Sequence, residues 1–397
     1  MIRFYDAYED AGTEIRLAVF KRYRVAHIAL VLLPLAIALA ILAANGFLLS
    51  IGVWNNIASQ ILPLLFLTPG FILVLKQGEI DLSVAALASL SAAIFGTVVI
   101  GRDGGFVVAT LATVGAATAL GALQGALVGY AKIPSFAVSF VGANVFQLLA
   151  VSIVVGPPEL LNLSAPFYDL FAPLGLLIVG GLIAVIAWFT PRASDRLFPA
   201  ADNRTALSVS RVASFGFMGL LAGVAGVASI LRVGSTNAFF GNGLEVQVLL
   251  VALAAGFFFR RTRSALLWGA IGCFMYGVVR FVTFLADADV YLRFTITNGL
   301  LVLYAAAFLI PSLIHRPSRR VRRQQWVILA VALGFAFATA MLWFGTEGSH
   351  LGLSAAQLVS PAALLVLGTI GYVRNREHRL SSPIDTREAQ RRTPGQH

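Results

Sequence analysis

Charge is what this chain has least of. Only 12% of its 397 residues are charged and 58% are hydrophobic, against roughly 25% and 45–50% in an ordinary soluble protein. A water-soluble globule of this length would expose the surplus as broad apolar patches, so that class is excluded. The mean hydropathy of +0.86 spreads the excess along the chain rather than confining it to one anchor. There is one cysteine, Cys273, so neither an intrachain disulfide nor a thiolate metal cluster is available. The histidines His27, His315, His350, His378 and His397 never stand in pairs at ligand spacing, which removes the usual metal centre. No Gly-x-x-x-x-Gly-Lys-Ser/Thr loop offers a nucleotide site. Neither a Ser/His nor a His/Glu constellation points to a hydrolase. No enzyme activity, metal or cofactor is expected.

What is present is a series of long apolar runs. Stretches able to cross about 30 Å of hydrocarbon fall at 26–44, 57–75, 84–100, 106–130, 134–155, 173–190, 211–231, 246–259, 264–285, 291–311, 326–345 and 353–373. The fold class is therefore all-α, a polytopic transmembrane helical bundle of about 12 spans. The eighth run is short and the fifth opens on Ile133-Pro134, so both read as interrupted helices. A basic lead from Glu14 to Arg24 lacks a small-residue cleavage site, and the first span reads as retained. Composition divides the chain into a cytoplasmic N-terminal lead (1–25), a ten-span core (26–311), a C-terminal helical hairpin (326–373) and a disordered cytoplasmic tail (374–397). The basic hinge Arg316 to Arg323 separates core from hairpin.

The net charge of +11 has a topological meaning. With twelve spans both tails share a side, and that side collects 25 of the 29 Lys and Arg residues. The other side holds Arg102, Arg232, Arg280 and Arg293. Such a bias puts both termini in the cytoplasm. The basic residues then serve as anchors facing an anionic leaflet, so lipid is the expected partner and nucleic acid is not.

Small residues mark packing faces. Gly121, Gly125 and Gly129 recur every four residues, and Gly216, Gly219, Gly223 and Gly226 follow a 3-4-3 spacing. Each set reads as a close helix contact or as a sliding seam. A weak echo links Gln77-Gly78-Glu79-Ile80-Asp81 with Asn242-Gly243-Leu244-Glu245, and Gly121 to Gly129 with Gly269 to Gly277. The matched spans lie five apart, so this is either chance likeness of apolar runs or an inverted repeat of spans 2–5 and 7–10.

Polar residues inside such a chain are the candidates for function. Asp81 or Ser83 can cap the helix that follows; the rival reading is a discontinuous helix whose end lines a solute path. Arg280 sits about five residues from its span's end, roughly 7 Å of rise, where it either snorkels or pairs with Asp287. Asn144 and Gln147 lie three apart on one helical face. Like Gln124 and Asn298, they suit an interhelical hydrogen bond or a polar conduit.

At Gly78-Glu79-Ile80-Asp81-Leu82-Ser83 the sequence resembles the permease subunits of bacterial ABC importers for ribose and related monosaccharides, relatives of the branched-chain amino-acid permeases. That family carries Gly-x-Ile-Asp-Leu-Ser after its second span. It also carries a glycine-rich span running into Lys-Ile-Pro-x-Phe-x-Val, here Gly125 to Lys132 and then Ile133-Pro134-Ser135-Phe136-Ala137-Val138. Leu231-Arg232-Val233-Gly234-Ser235 and Gly241-Asn242-Gly243-Leu244-Glu245 follow in the family's order. The resemblance covers about residues 50 to 311. The chain departs from the pattern in a shortened internal loop, Asp195 to Arg211, and in Phe257-Phe258-Phe259-Arg260-Arg261-Thr262-Arg263, which replaces a glycine-rich segment.

The resemblance implies a permease subunit of an ATP-driven importer in the bacterial inner membrane, for a monosaccharide or similar small polar solute. It implies as partners a cytoplasmic ABC ATPase, an extracytoplasmic solute-binding protein and a second permease subunit. The candidate pathway residues are then Asp81, Ser83, Phe136, Asn144, Gln147, Arg280 and Asn298. The candidate ATPase-coupling loop is Asn203, Arg204, Thr205, Ala206, Leu207 and Ser208. An ion-coupled secondary transporter and a non-transporting membrane scaffold are the alternatives. The first lacks the Gly-x-x-x-Asp-Arg-x-Gly-Arg loop of the major facilitators; the second draws on the altered internal loops.

Overall fold

The computed structural model describes residues 13–101, 105–154, 189–190, 204–235, 238–255, 262–286, 293, 296 and 299–300. Among these residues the regular elements are helices: α1 (Thr13–Ala44), α2 (Ile51–Lys76), α3 (Val84–Gly101), α4 (Phe106–Gly129), α5 (Ser135–Ile153), α6 (Arg204–Val233), α7 (Leu244–Ala254) and α8 (Thr262–Leu285). Five of them are long and apolar enough to cross a membrane: α2, α4, α5, and the stretches Leu207–Val233 of α6 and Arg263–Leu285 of α8. The apolar parts of α1 and α3 (Ile28–Ala44, Val84–Val99) and the whole of α7 are shorter. The expected span at 173–190 falls almost wholly outside the described residues, as does that at 291–311. The hairpin at 326–373 and the tail lie outside them entirely.

Helices overrun the apolar runs that announced them. α2 begins at Ile51 rather than 57 and α6 at Arg204 rather than 211. Hydropathy marks only the apolar part of a helix, and Thr205 to Val212 contains no Gly or Pro to stop the turn. The segment expected as a coupling loop is thus helical from Arg204 to Ser208. α5 is one unbroken helix of 19 residues, with Pro134 just ahead of its first turn, a position that needs no backbone N–H. The expected interruption there is absent. α7, by contrast, has only 11 residues, about 16 Å of rise, which is half the hydrocarbon thickness.

α6 is the centre of the assembly and packs on α4, α2 and α3. The apolar stretches of α2 and α6 are 78% buried and those of α4 and α5 only 22%, which separates inner helices from outer ones. Phe66, Phe71, Phe95 and Phe215 are fully buried among them. Glycine sets the α4–α6 distance. A methyl group on Gly125 would stand 2.7 Å from the Arg211 carbonyl oxygen, one on Gly129 2.8 Å from that of Ser208, and one on Gly223 2.9 Å from Val114 Cα. With no hydrophobic drive between helices in lipid, such backbone approach is the main source of helix–helix attraction. The second glycine set does not serve one partner. Gly219 and Gly223 face α4, whereas Gly226 meets Ala88, Ser91 and Ala92 of α3.

These contacts also fix direction. Gly70 meets Met218 and Leu221, and Gln77 meets Ser210 and Ser214, so α2 and α6 are antiparallel. α4 runs against α6 in the same sense. Gly269 at Thr68 and Gly277 at Ile57 and Ile61 make α8 antiparallel to α2. The bundle therefore has a Gln77 end and an Arg232 end. Pro63 explains part of the latter. Its missing N–H frees the carbonyl of Ser59, and Arg232 Nη1 donates to that oxygen at 3.2 Å. A neighbouring helix thus satisfies what the proline leaves open, as a membrane interior demands.

Candidate functional site

The turn from Gln77 to Ser83 joins α2 to α3 and touches three further helices. α2 ends in a Schellman arrangement: Gly78 N–H donates to Leu75 O at 2.9 Å and Glu79 N–H to Val74 O at 3.3 Å. Gly78 takes φ +77°, a conformation that glycine adopts without strain. This reversal turns the following residues inward. Glu79, Asp81 and Ser83 are all buried.

The residues of the turn then bond α6, α5 and one another. Gln77 Nε2 donates towards Ser210 O (3.0 Å), Ser210 Oγ (2.8 Å) and Ser214 Oγ on α6. Glu79 forms an ion pair with Arg211 of α6 at 2.7 Å. The Ile80 N–H donates to Ser135 Oγ at 3.2 Å and its carbonyl faces Ser139 Oγ at 3.4 Å, both on α5. Asp81 Oδ1 accepts from the Ser83 N–H (2.8 Å) and from Ser83 Oγ (2.6 Å).

Ser83 Oγ also lies 3.0 Å from the side-chain amide of Gln124 on α4. One hydroxyl proton serves one acceptor. With the amide turned so that nitrogen rather than oxygen faces Ser83, one amide proton goes to Ser83 and the Ser83 hydroxyl proton goes to Asp81. Gly142 of α5 leaves the space that this amide fills. Asp81 is therefore not a helix cap. Ser83 supplies the first helical carbonyl, to Leu87 N–H at 2.8 Å, and Asp81 holds the Ser83 hydroxyl. Burial pushes the Asp81 carboxyl above its ordinary range, and the two bonds from Ser83 oppose that rise.

A second turn approaches the same helix. Residues 238–243 lead into α7; Gly241 N–H donates to Ser89 Oγ at 2.7 Å, and Gly241 lies against the Ala85 carbonyl. Gln147 of α5 reaches this turn, with Nε2 donating to Ala238 O at 2.9 Å. Gly243 takes a positive φ of +86°, in the same region as Gly78 of the first turn. The entry of α7 thus crosses the first two turns of α3.

The other expected residues divide clearly. Phe136 packs near the first turn and stacks with Phe140 at 6.1 Å between ring centroids. Asn144 is exposed on the outer face of α5, its amide donating back to Phe140 O at 2.8 Å. Arg280 lies at the Arg232 end, 3.5 Å from Tyr276 Oη, and takes no part in the Asp81 cluster. Asn298, Asn203 and Asp287 fall outside the described residues. Sequence reasoning passed over Gln77, Glu79 and Arg211 as site residues. Among the described residues no group of three or more His, Cys, Asp or Glu side chains could hold a metal.

Known proteins resemble the chain over about half its length. It is 27% identical over 210 residues to the autoinducer 2 import system permease protein LsrC of Photorhabdus luminescens, covering 49% of this chain and 62% of that protein. It is 24% identical over 247 residues to the D-allose transport system permease protein AlsC of Escherichia coli K12, covering 58% and 75%. With the ribose import permease protein RbsC of the same organism it shares 26% over 223 residues, covering 51% and 68%. The chain is thus similar to permease subunits of ABC importers for sugars and autoinducer 2, and spans about 62% of the first of them. No family model and no solved structure matches it.

Proposed function

We propose that this chain is the permease subunit of an ATP-driven ABC importer for a monosaccharide or a similar small polar solute. It would work in the bacterial inner membrane beside a second permease copy, a cytoplasmic ATPase and a solute-binding protein. The observation that carries the reading is the buried turn Gly78 to Ser83. The residues through which the chain resembles monosaccharide permeases are those through which the turn grips α4 and α5. The similarity to the allose and ribose permeases supports the solute class.

The helix pairings support an inverted repeat. An offset of five spans carries α4–α6 onto α8–α2, α3–α6 onto α7–α2 and α3–α4 onto α7–α8, and each of these pairs is in contact. On this reading the turns 77–83 and 238–243 are equivalent and flank the pathway. The short α7 is then the discontinuous helix common at such sites. The Gln77 end faces the cytoplasm. Cysteines at Ser164 and Glu347 are expected to react with an impermeant thiol reagent in intact cells, and one at Ser318 is not. Labelling of the Ser318→Cys variant from outside would reverse the orientation.

A buried carboxyl at Asp81 favours a second reading, an ion-coupled transporter. The decisive measurement is uptake of labelled pentoses and hexoses into vesicles with internal ATP clamped, with and without a protonophore. The importer retains uptake when the proton gradient collapses and loses it without the co-expressed ATPase. Loss of uptake to protonophore at constant ATP would leave the ion-coupled transporter.

A further inference from the structure

The turn is tied on two sides by different chemistry. Ile80 reaches α5, and Ser83, held by Asp81, reaches α4, whereas the side chains of Gln77 and Glu79 bond to α6. Glu79 stands at the unspecified position of Gly-x-Ile-Asp-Leu-Ser. Its partner Arg211 stands two turns into α6, behind the helical stretch from Arg204 to Ser208. Glu79 is 3% exposed and Arg211 14%. Burying opposite charges is a costly way to fill space, and apolar side chains of similar volume would do that better. What an ion pair adds over apolar packing is a fixed register between two elements. Ser208 fixes the same end of α6 to α4 by donating to Gly129 O at 2.8 Å.

We propose that Glu79 and Arg211 are positioning residues for the transport step, a strut that passes movement at the entry of α6 to the turn carrying Asp81. This rests on the importer reading, in which the ATPase pushes on that entry. Without the strut, α6 still packs on α4 through glycine and still holds Gln77 at the start of the turn, but the charged tie to the residues leading to Asp81 is lost.

A structural role and a coupling role predict different double variants. Glu79→Gln or Arg211→Gln alone leaves a buried charge without its partner and lowers the amount of folded protein. Glu79→Gln with Arg211→Gln removes both charges and restores it. The readout is a cysteine at Ile133, which is 40% exposed and stands two residues ahead of Ser135, the acceptor of the Ile80 N–H. Its reaction rate with a methanethiosulfonate is followed in membranes holding the full chain and its ATPase subunit, with and without ATP and vanadate. The native Cys273 is buried and stays in place.

In the background with Glu79 and Arg211 intact, ATP and vanadate are expected to change the rate by about tenfold, the scale of a typical coupling between sites. In the double variant the rate is expected to be unchanged by ATP although the protein is abundant. A double variant that responds to ATP as fully as the intact pair would overturn the strut and leave the importer reading standing. No response with the pair intact would remove the importer reading and the strut with it.

Discussion

Valine in place of Gly121 is expected to leave almost no folded protein in detergent extracts. A side-chain carbon at this position would press into the Phe215 carbonyl oxygen and stand 3.0 Å from Gly219 Cα. Both atoms belong to the backbone of α6, so neither can swing aside as a side chain would. Overpacking a filled interior costs about 1–3 kcal/mol even where side chains can adjust. Alanine tests the sign. A helix gains up to about 1 kcal/mol when glycine becomes alanine, so Gly121→Ala is expected to be a net loss and Gly121→Val a much larger one. Gly115, on the same helix, has nothing within 4 Å of where a Cβ would stand, so Gly115→Ala keeps only the helical gain. The measurement is the thermal midpoint of solubilised protein by size-exclusion recovery. Equal midpoints for Gly115→Ala and Gly121→Ala would mean that the seam is looser than these distances require.

That seam was legible in the sequence because it depends on a local regularity. Glycines four apart must share a helix face, and in an apolar helix the face has few uses besides close approach. The helices themselves were legible for the same reason, since a run of apolar residues forces the backbone to bond within itself. Their ends were less so. Arg204 to Ser210 continue α6 ahead of the run expected from 211, and nothing in the apolar run itself marks where the helix begins. The grip of Gln77 and Glu79 on α6 was not legible at all. It joins residues more than 130 positions apart, and neither Glu79 nor Arg211 stands out locally from the other charged residues near span ends. Arg232 is an intermediate case. Its carbonyl partner is predictable once Pro63 is known to lie in a helix, but which helix supplies the donor is a matter of tertiary packing. Asn144 went the other way. It was grouped with Gln147 by spacing, yet one amide faces outward and the other bonds across to Ala238.

Asp81→Ala is expected to abolish uptake while leaving most of the protein folded and inserted. The carboxylate accepts two bonds from Ser83, and removing it leaves buried donors unmet at a cost of about 1–3 kcal/mol. A bundle held by the α4–α6 seam and by the α2–α6 contacts should survive that loss. Transport is more sensitive than folding, because an interaction of about 1–3 kcal/mol made in only one of two conformations shifts their ratio by roughly 5–150-fold. Asp81→Asn separates the two things the carboxyl provides. Its amide oxygen can still accept from Ser83, so the turn is retained and only the charge is lost. Uptake near wild type for Asp81→Asn, with loss for Asp81→Ala and for Ser83→Ala, would make Asp81 an acceptor that shapes the turn. Loss in Asp81→Asn at normal expression would assign the charge itself to the pathway. Gln124→Leu supplies the remaining control: it breaks the chain on the α4 side and is expected to fall between Ser83→Ala and wild type. The comparison is initial uptake rate per folded molecule, measured with the ATPase co-expressed. Wild-type rates in all four variants would remove the turn from the transport mechanism and reduce it to a connection between α2 and α3.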